Sequence, residues 1–492
     1  MTVTTVEVAV IGAGASGIGA AIKLRDIGVN DFVVLEKGPS VGGTWRDNTY
    51  PGCACDVPST LYSYSFAQNP GWSRVFAGQA EILDYLERTA THFGVLENVR
   101  FGVEVQRAEW DDKAAQWLIT TSHGEVRAQT LIGAAGPWHE PNVPNIPGLD
   151  SFTGTVFHSA RWNHHVDLSG KRVAVVGTGA SAVQFVPEIA PMVAGLHLFQ
   201  RTPHWVLPKP DGPIPRQARR AIRAVPGLQK AMRGTQYSGL EVTTFATQHP
   251  WLQPLLKAVG AANIRVAIKD RQLRKVLTPD WPVGCKRILV ANSYYPALAR
   301  DNVHVHPTAV REIRGNVIVG ADGTEAEVDV LILGTGFKIL DMPLADRVVD
   351  GTGRSLADHW QGSPQAHLGT TVAGFPNFYL LLGPNLGSSM SAFSIIELQL
   401  GYIMQALTHQ RASAVSRLQV RREVQDAYNR DLQSALSGTV YAAGNCPSYF
   451  VDRNGRNSFS WPWSTRRMAS MMATFDPADF HVARPAADGA AA

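Results

Sequence analysis

Residues 6–36 read VEVAVIGAGASGIGAAIKLRDIGVNDFVVLE, and the order of residue types within them decides the fold. Val6, Val8, Val10 and Ile11 make an apolar run of strand length, suited to a strand buried on both faces of a parallel sheet. The run ends in Gly12-Ala13-Gly14-Ala15-Ser16-Gly17 and passes into a helical pattern at Ile18, Ala21, Ile22 and Leu24. A second strand, residues 32–35, closes at Glu36, 22 positions after Gly14. A glycine turn in this context binds a dinucleotide: the glycines let the backbone approach a pyrophosphate, and the helix N-terminus offers free N–H groups and a positive dipole. Glu36 can accept hydrogen bonds from ribose hydroxyls. The candidate binding residues are Gly12, Gly14, Ala15, Ser16, Gly17, Glu36 and Lys37.

A second unit of the same kind starts at Lys171. Residues 172–176 form its strand, Gly177-Thr178-Gly179-Ala180-Ser181-Ala182 its turn, and residues 196–200 its next strand. Where the first unit ends in a carboxylate, this one continues Gln200-Arg201-Thr202-Pro203. A carboxylate repels a 2′-phosphate, whereas a guanidinium binds it through two parallel charge-assisted hydrogen bonds. The second site is therefore expected to take NADP rather than NAD, with Gly177, Thr178, Gly179, Ala180, Ser181, Gln184, Arg201 and Thr202 as its candidate residues. Two such folds, the first acidic and the second basic, imply FAD in the first and NADPH visiting the second, a pairing that transfers hydride to flavin.

Between 205 and 280, prolines interrupt helix-like segments rich in Ala, Arg and Leu, which reads as a mostly helical insertion. A further apolar strand, residues 328–333, leads to Gly334-Thr335-Gly336-Phe337, and the chain then returns to aromatic and glycine-rich loops over 375–387. The expected architecture is α/β, with two Rossmann-like dinucleotide-binding domains. The FAD-binding domain is discontinuous, 1–155 and 335–492. The NADP-binding domain is 156–334 and carries the insertion. Residues 486–492, mostly small and without periodicity, are expected to fray.

Composition bounds the function. The 492 residues are 45% hydrophobic and 17% charged, as in a globular enzyme. No stretch has the eighteen or more consecutive apolar residues of a membrane span, and no signal core follows the N-terminus, so a cytoplasmic location is expected. The net charge of +4 is uneven: residues 211–275 hold twelve Lys or Arg against three Asp or Glu, which is +9 and leaves −5 on the rest. Without aromatic interleaving this excludes nucleic acid as a partner. A solvated face is favoured for the basic segment over peripheral contact with anionic lipid or guidance of NADPH. Cys53, Cys55, Cys285 and Cys446 match neither a disulfide framework nor a metal knuckle, so reduced thiols and no metal are expected. The Cys53-Ala54-Cys55 spacing also argues against a flavin disulfide reductase.

Several motifs resemble the class B flavoprotein monooxygenases, and within them the Baeyer–Villiger monooxygenases, over about residues 6–465. Phe152-Thr153-Gly154-Thr155-Val156-Phe157-His158-Ser159-Ala160-Arg161-Trp162-Asn163 is similar to the family fingerprint FxGxxxHxxxW followed by Pro or Asp, with Asn163 departing at the last position. Gly42-Gly43-Thr44-Trp45, then Asn48, Tyr50-Pro51-Gly52 and Cys55-Asp56, resembles the segment lying over the flavin. Cys285-Lys286-Arg287 matches a lysine near the 2′-phosphate and an arginine over the reactive flavin face, while Gly334-Thr335-Gly336-Phe337 and Trp461-Pro462 match later signatures.

The resemblance implies FAD contacts from Gly43, Thr44, Trp45, Asp56, Tyr62, Thr335, Gly336 and Phe337, NADPH contacts from Lys286, and catalytic roles for Arg287 and Asp56. It implies a cycle in which NADPH reduces FAD, O2 adds to give a flavin peroxide, and the peroxide attacks a ketone carbonyl to yield an ester or lactone. The resemblance also implies sulfoxidation of thioethers as an accompanying activity. A guanidinium never loses its proton and suits the anion this chemistry requires, with Asp56 holding it in place. His158 is expected to couple domains without touching the chemistry. The rival within the same resemblance is a flavin-containing monooxygenase oxygenating soft nitrogen or sulfur.

Overall fold

The computed structural model describes residues 3–387, 390–442 and 448–484; the expected frayed tail and Cys446 lie outside them. The chain opens with strand β1 (Val3–Ile11), helix α1 (Ala15–Asp26) and strand β2 (Phe32–Glu36), the unit expected from the first glycine turn. β1 starts three residues earlier than its apolar run, because Val3 to Val6 pair with the start of a later strand at the sheet's solvent-exposed end. Every residue of β2 is buried. That is why neither strand shows polar alternation.

Short helix α2 (Thr44–Asp47) and helix α3 (Gln79–His92) follow, then strands β3 (Val99–Phe101), β4 (Val105–Asp111), β5 (Gln116–Thr121) and β6 (Gly124–Gly133). β1 lies between β2 and β6, parallel to both, while β5 runs antiparallel to its two neighbours β4 and β6. Strand β7 (Thr155–His158) begins a second sheet, continued by β8 (Arg172–Val176), α4 (Ala180–Ile189) and β9 (Gly195–Phe199). β9 sits one residue earlier than its sequence suggested.

From β9 the chain makes a two-residue strand, β10 (Val206–Leu207), and then helices α5 (Arg216–Ala224), α6 (Leu228–Gln248), α7 (Gln253–Ala267) and α8 (Arg271–Leu277). It returns through β11 (Leu289–Val290), which pairs parallel with β10. Helix α9 (Tyr294–Leu298) and strand β12 (Val303–His306) rejoin the sheet beside β9. The outer side of the helices is not purely charged, since Val242, Trp251, Leu255 and Val266 are all more than 60% exposed. No described helix is long and apolar enough to cross a membrane.

The antiparallel strands β13 (Val310–Arg314), β14 (Val317–Gly320) and β15 (Glu325–Glu327) precede β16 (Val330–Leu333), which begins two residues later than its apolar run. The second sheet has the order β12-β9-β8-β16-β7 and is parallel throughout.

The chain then re-enters the first sheet by way of α10 (Pro343–Arg347), β17 (Val348–Val349), α11 (Leu356–Trp360) and β18 (Phe378–Leu380), followed by α12 (Ala392–Ala412). β18 corrects the expectation of loop over 375–387. It pairs with the last residues of β6, beyond the point where β5 leaves that strand. Ile18, Ala21 and Ile22 of α1 share a core with Leu400, Ile403 and Leu407 of α12. Apolar surface taken out of water at this contact, stabilising by about 25 cal/mol per Å², holds the returning segment against the first nucleotide unit.

Candidate active site

The first nucleotide turn is built by close approach. A Cβ on Gly17 would stand 1.8 Å from the Gly12 carbonyl oxygen, so no other residue closes this turn. Gly14 caps α1 without any side-chain hydrogen bond, leaving the first-turn N–H groups pointed at open space. Above them lies a cleft of about 1380 Å³, counting its open mouth, lined by Gly12, Gly14, Ala15, Ser16, Glu36, Lys37, Gly43, Thr44, Trp45 and Tyr62. Gly17 itself is buried in the turn. A long cleft whose floor is a glycine turn and an uncapped helix terminus fits a dinucleotide such as FAD.

Glu36 is 4% exposed, with its oxygens accepting from the N–H groups of Ala13 (2.7 Å) and Gly38 (2.7 Å). Arg46 Nη1 pairs with it at 3.0 Å. The acid therefore also fixes the glycine turn. Trp45 Nε1 donates to the Tyr62 hydroxyl at 3.2 Å, and burial holds the Tyr62 phenol in its neutral form by raising its pKa.

A second cleft of about 1310 Å³ adjoins the first and shares Thr44, Trp45 and Tyr62 with it. It collects Asp56, Ala180, Ser181, Gln184, Arg287 and Phe337 from segments far apart in sequence. Ile339, Leu340, Met342, Leu386 and Ile395 give it an apolar wall.

Arg287 donates to Asp56 Oδ2 from Nη2 at 2.6 Å and from Nε at 3.2 Å. Burial pushes the Asp56 carboxyl upward, but the charge and hydrogen bonds of Arg287 outweigh it and hold the pKa below the usual carboxylate range. Asp56 in turn raises the guanidinium further above its already high value. Both side chains keep about a third of their surface open, 37% for Arg287 and 28% for Asp56. They face the cleft as a fixed ion pair. The guanidinium carbon stands 5.9 Å from the Trp138 ring centroid.

The second nucleotide turn lies at the end of β8, with Gly177 at φ +105° and an added Cβ there 2.4 Å from the Gly334 carbonyl oxygen. Gly179 caps α4 without a side-chain bond, and a Cβ on it would meet open space. Thr178 Oγ1 donates to the Thr202 carbonyl at 3.3 Å, and Lys286 Nζ to the Thr202 hydroxyl at 2.7 Å. Lys286 is 7% exposed, and burial together with the nearby Arg201 charge lowers its pKa to about 8. Two cations held together with no carboxylate acting on Lys286 suit an anion. The donor set fits a phosphorylated nicotinamide dinucleotide.

Other expected residues make scaffold contacts. Thr335 Oγ1 donates to the Asn142 carbonyl at 2.6 Å, and the Gly336 carbonyl accepts from Asn142 N at 2.9 Å, so this pair holds the linker between the sheets. Gln184 bonds Tyr50 and Ala54. His158 lies at the end of β7, its Nδ1 accepting from Ala160 N at 3.0 Å, and burial lowers its pKa to about 4. It does not line either cleft.

Sequence reasoning missed Trp138 and Lys209, whose segments carry no motif. Cys53 and Cys55 are the free thiols expected, but Cys285 corrects that expectation, being disulfide-bonded. Burial raises the Cys53 thiol to about 11 and Cys55 well above its usual value, which suppresses the thiolate that disulfide reduction requires.

Comparison with known proteins agrees with this geometry. A family model described as pyridine nucleotide-disulphide oxidoreductase matches residues 9–212. A Baeyer–Villiger monooxygenase of Streptomyces coelicolor is 48% identical over 485 residues, covering 98% of this chain and 93% of the relative. Another of that name from Pseudomonas aeruginosa is 44% identical over 481 residues, covering 97% and 91%. Among solved structures, OTEMO in complex with FAD and NADP superposes with a TM-score of 0.87 at 28% identity, over 97% of this chain and 99% of that one.

Proposed function

The chain belongs to the Baeyer–Villiger monooxygenases, and we propose that within this reaction Arg287 is the electrostatic catalyst and Asp56 the group that holds it. It is an FAD- and NADPH-dependent monooxygenase. The reaction consumes one ketone, one O2, one NADPH and one proton, and returns ester or lactone, NADP+ and water. When bound, FAD supplies electron transfer from the nicotinamide and the activation of O2.

The observation that carries the assignment is the Arg287–Asp56 pair at the wall of the second cleft. Negative charge builds on the carbonyl oxygen as an oxygen nucleophile adds to a ketone. A fixed guanidinium stabilises that charge without reorganising and without a proton to lose. Asp56 keeps the guanidinium aimed at the cleft, and the apolar wall limits water. That wall suits a small ketone or a thioether.

For the cofactors, Gly14, Ala15 and Ser16 would hold the FAD pyrophosphate against the α1 terminus, with Glu36 and Lys37 at the adenosine ribose and Gly43, Thr44, Trp45 and Tyr62 along the flavin. Gly179, Ala180 and Ser181 would hold the NADPH pyrophosphate, and Arg201, Thr202 and Lys286 its 2′-phosphate. The accompanying domain division is 1–155 with 335–492 for FAD and 156–334 for NADP.

The test is purified enzyme with FAD, NADPH and a panel of cyclic and aryl ketones, a thioether and a tertiary amine. Product mass and NADPH uptake are recorded together. Lactone or ester in step with NADPH uptake is expected; oxygenation of the amine with every ketone left intact overturns the ketone assignment.

A further inference from the structure

Lys209 lies just beyond β10, and Arg287 just before β11, at opposite ends of the parallel two-strand ribbon. The ribbon is held firmly. Leu289 N donates to the Trp205 carbonyl at 3.2 Å and Ala291 N to the Leu207 carbonyl at 3.0 Å. Asn292 exchanges two hydrogen bonds with the backbone of Lys209, at 2.9 and 2.8 Å. From this base Lys209 Nζ reaches the other nucleotide domain and donates to the Cys55 carbonyl at 3.0 Å, one residue before Asp56. It also stands 4.8 Å from the centroid of the Phe76 ring.

The charged and titratable groups facing Lys209 are Asp56 and Cys55 on one segment, Arg74 on a loop, and Asp211 two residues along its own loop. Asp211 is already committed to Arg74, at 2.8 Å, and to the Phe76 N–H, at 3.2 Å. Cys55 is a neutral thiol, because burial raises its pKa. The charges left are Asp56 and Arg287, which line the cleft, and Lys209, which acts on Asp56 from behind that lining, a net of one positive. Without Lys209 the carboxylate would cancel the guanidinium's field.

The geometry points to Lys209 as a positioning residue for the oxygenation, a second cation that fixes the backbone carrying Asp56 and keeps the Asp56–Arg287 pair net positive toward an anion in the cleft. The inference rests on the roles given above to Arg287 and Asp56. It adds that the insertion, through one side chain, sets how much of the Arg287 charge reaches the reacting oxygen. Burial lowers the Lys209 pKa from its ordinary value, an effect that Asp211, Cys55 and Asp56 offset in part. The contribution is present while the ammonium is charged and is lost as pH rises through its pKa.

The experiment compares parent, Lys209→Met and Lys209→Arg enzymes as FAD-loaded proteins at saturating NADPH and ketone, across the alkaline range. Lys209→Met is expected to form product about tenfold more slowly, an effect smaller than the loss of a direct stabilising donor. Lys209→Arg is expected to keep the parent rate and to move the alkaline limb to higher pH, since arginine stays charged. A second readout needs no turnover: amide hydrogen exchange across residues 53–57, followed by mass spectrometry, should accelerate in Lys209→Met and not in Lys209→Arg.

An unchanged rate and pH profile in Lys209→Met overturns the proposal, as does an arginine variant no better than the methionine one. Should Lys209→Met fail to retain FAD, the alkaline limb of Lys209→Arg alone decides: a shift supports the role and coincidence with the parent removes it. Arg287→Ala tests the underlying reading separately, because it leaves the Lys209 bond to the Cys55 carbonyl in place.

Discussion

Two donors of Arg287 converge on a single oxygen of Asp56, Oδ2, rather than bridging both carboxylate oxygens. The contact runs along the Nε–Nη2 edge of the guanidinium. Two donors on one acceptor hold that edge in place and leave Nη1 uncommitted to the carboxylate, which suits a charge that must stay aimed at the cleft.

The first prediction concerns that charge. Arg287→Ala should still bind FAD, because Arg287 does not line the first cleft. Product formation should fall a hundred- to a thousandfold, corresponding to about 2.7 to 4 kcal/mol of lost transition-state stabilisation. Product quantified by gas chromatography, beside flavin absorbance of the same sample, checks both halves; parent-level product removes the role.

Coenzyme choice is predicted to depend on pH. Lys286 has its pKa lowered to about 8 by burial and by Arg201, so it is cationic below that pH and neutral above it. The Michaelis constant for NADPH should therefore rise as pH climbs past about 8, while that for NADH, which has no 2′-phosphate, stays level. Lys286→Ala should flatten the NADPH curve at its high value. Steady-state kinetics with both coenzymes between pH 7 and 9.5 decide the matter.

Arg201→Ala should raise the NADPH Michaelis constant and barely alter the NADH one. Loss of one charge-assisted contact to a phosphate, about 1.5 to 3 kcal/mol, corresponds to roughly a ten- to hundredfold rise. Equal effects on the two coenzymes would place the 2′-phosphate elsewhere.

Two glycines of one turn should fail differently. A Cβ at Gly14 meets only Gly43 Cα at 3.6 Å, ordinary contact, yet it projects toward the cleft where a pyrophosphate would lie. Gly14→Ala is expected to fold and lose FAD. Gly17→Ala drives its Cβ against the Gly12 carbonyl oxygen and is expected to lose both. Circular dichroism and bound-flavin content of each variant separate the outcomes.

The two nucleotide units were legible because their signals are local: a buried strand, a glycine turn and a helix adjoin in sequence, and β1, β8 and their helices fall within a few residues of the expected limits. Arg287 and Asp56 were found only through resemblance, since 231 positions separate them and no periodicity links them. Lys209 left no trace, because its value comes from a ribbon of two residues whose pairing the sequence does not announce. Residues 378–380 looked like loop because a strand of three residues between glycines has no alternation to display. Cys285 was taken for a reduced thiol because pairing depends on distance in the fold rather than spacing along the chain.

Gln184, on the helix of the second nucleotide turn, exchanges two hydrogen bonds with Ala54, at 2.9 and 3.3 Å, and accepts a third from Tyr50 at 3.0 Å. One amide thus ties the helix that would grip NADPH to the strip of chain leading to Asp56. A displacement of that helix would pull on the segment carrying Asp56, and by thermodynamic reciprocity any factor one dinucleotide imposed on the affinity for the other would be returned unchanged.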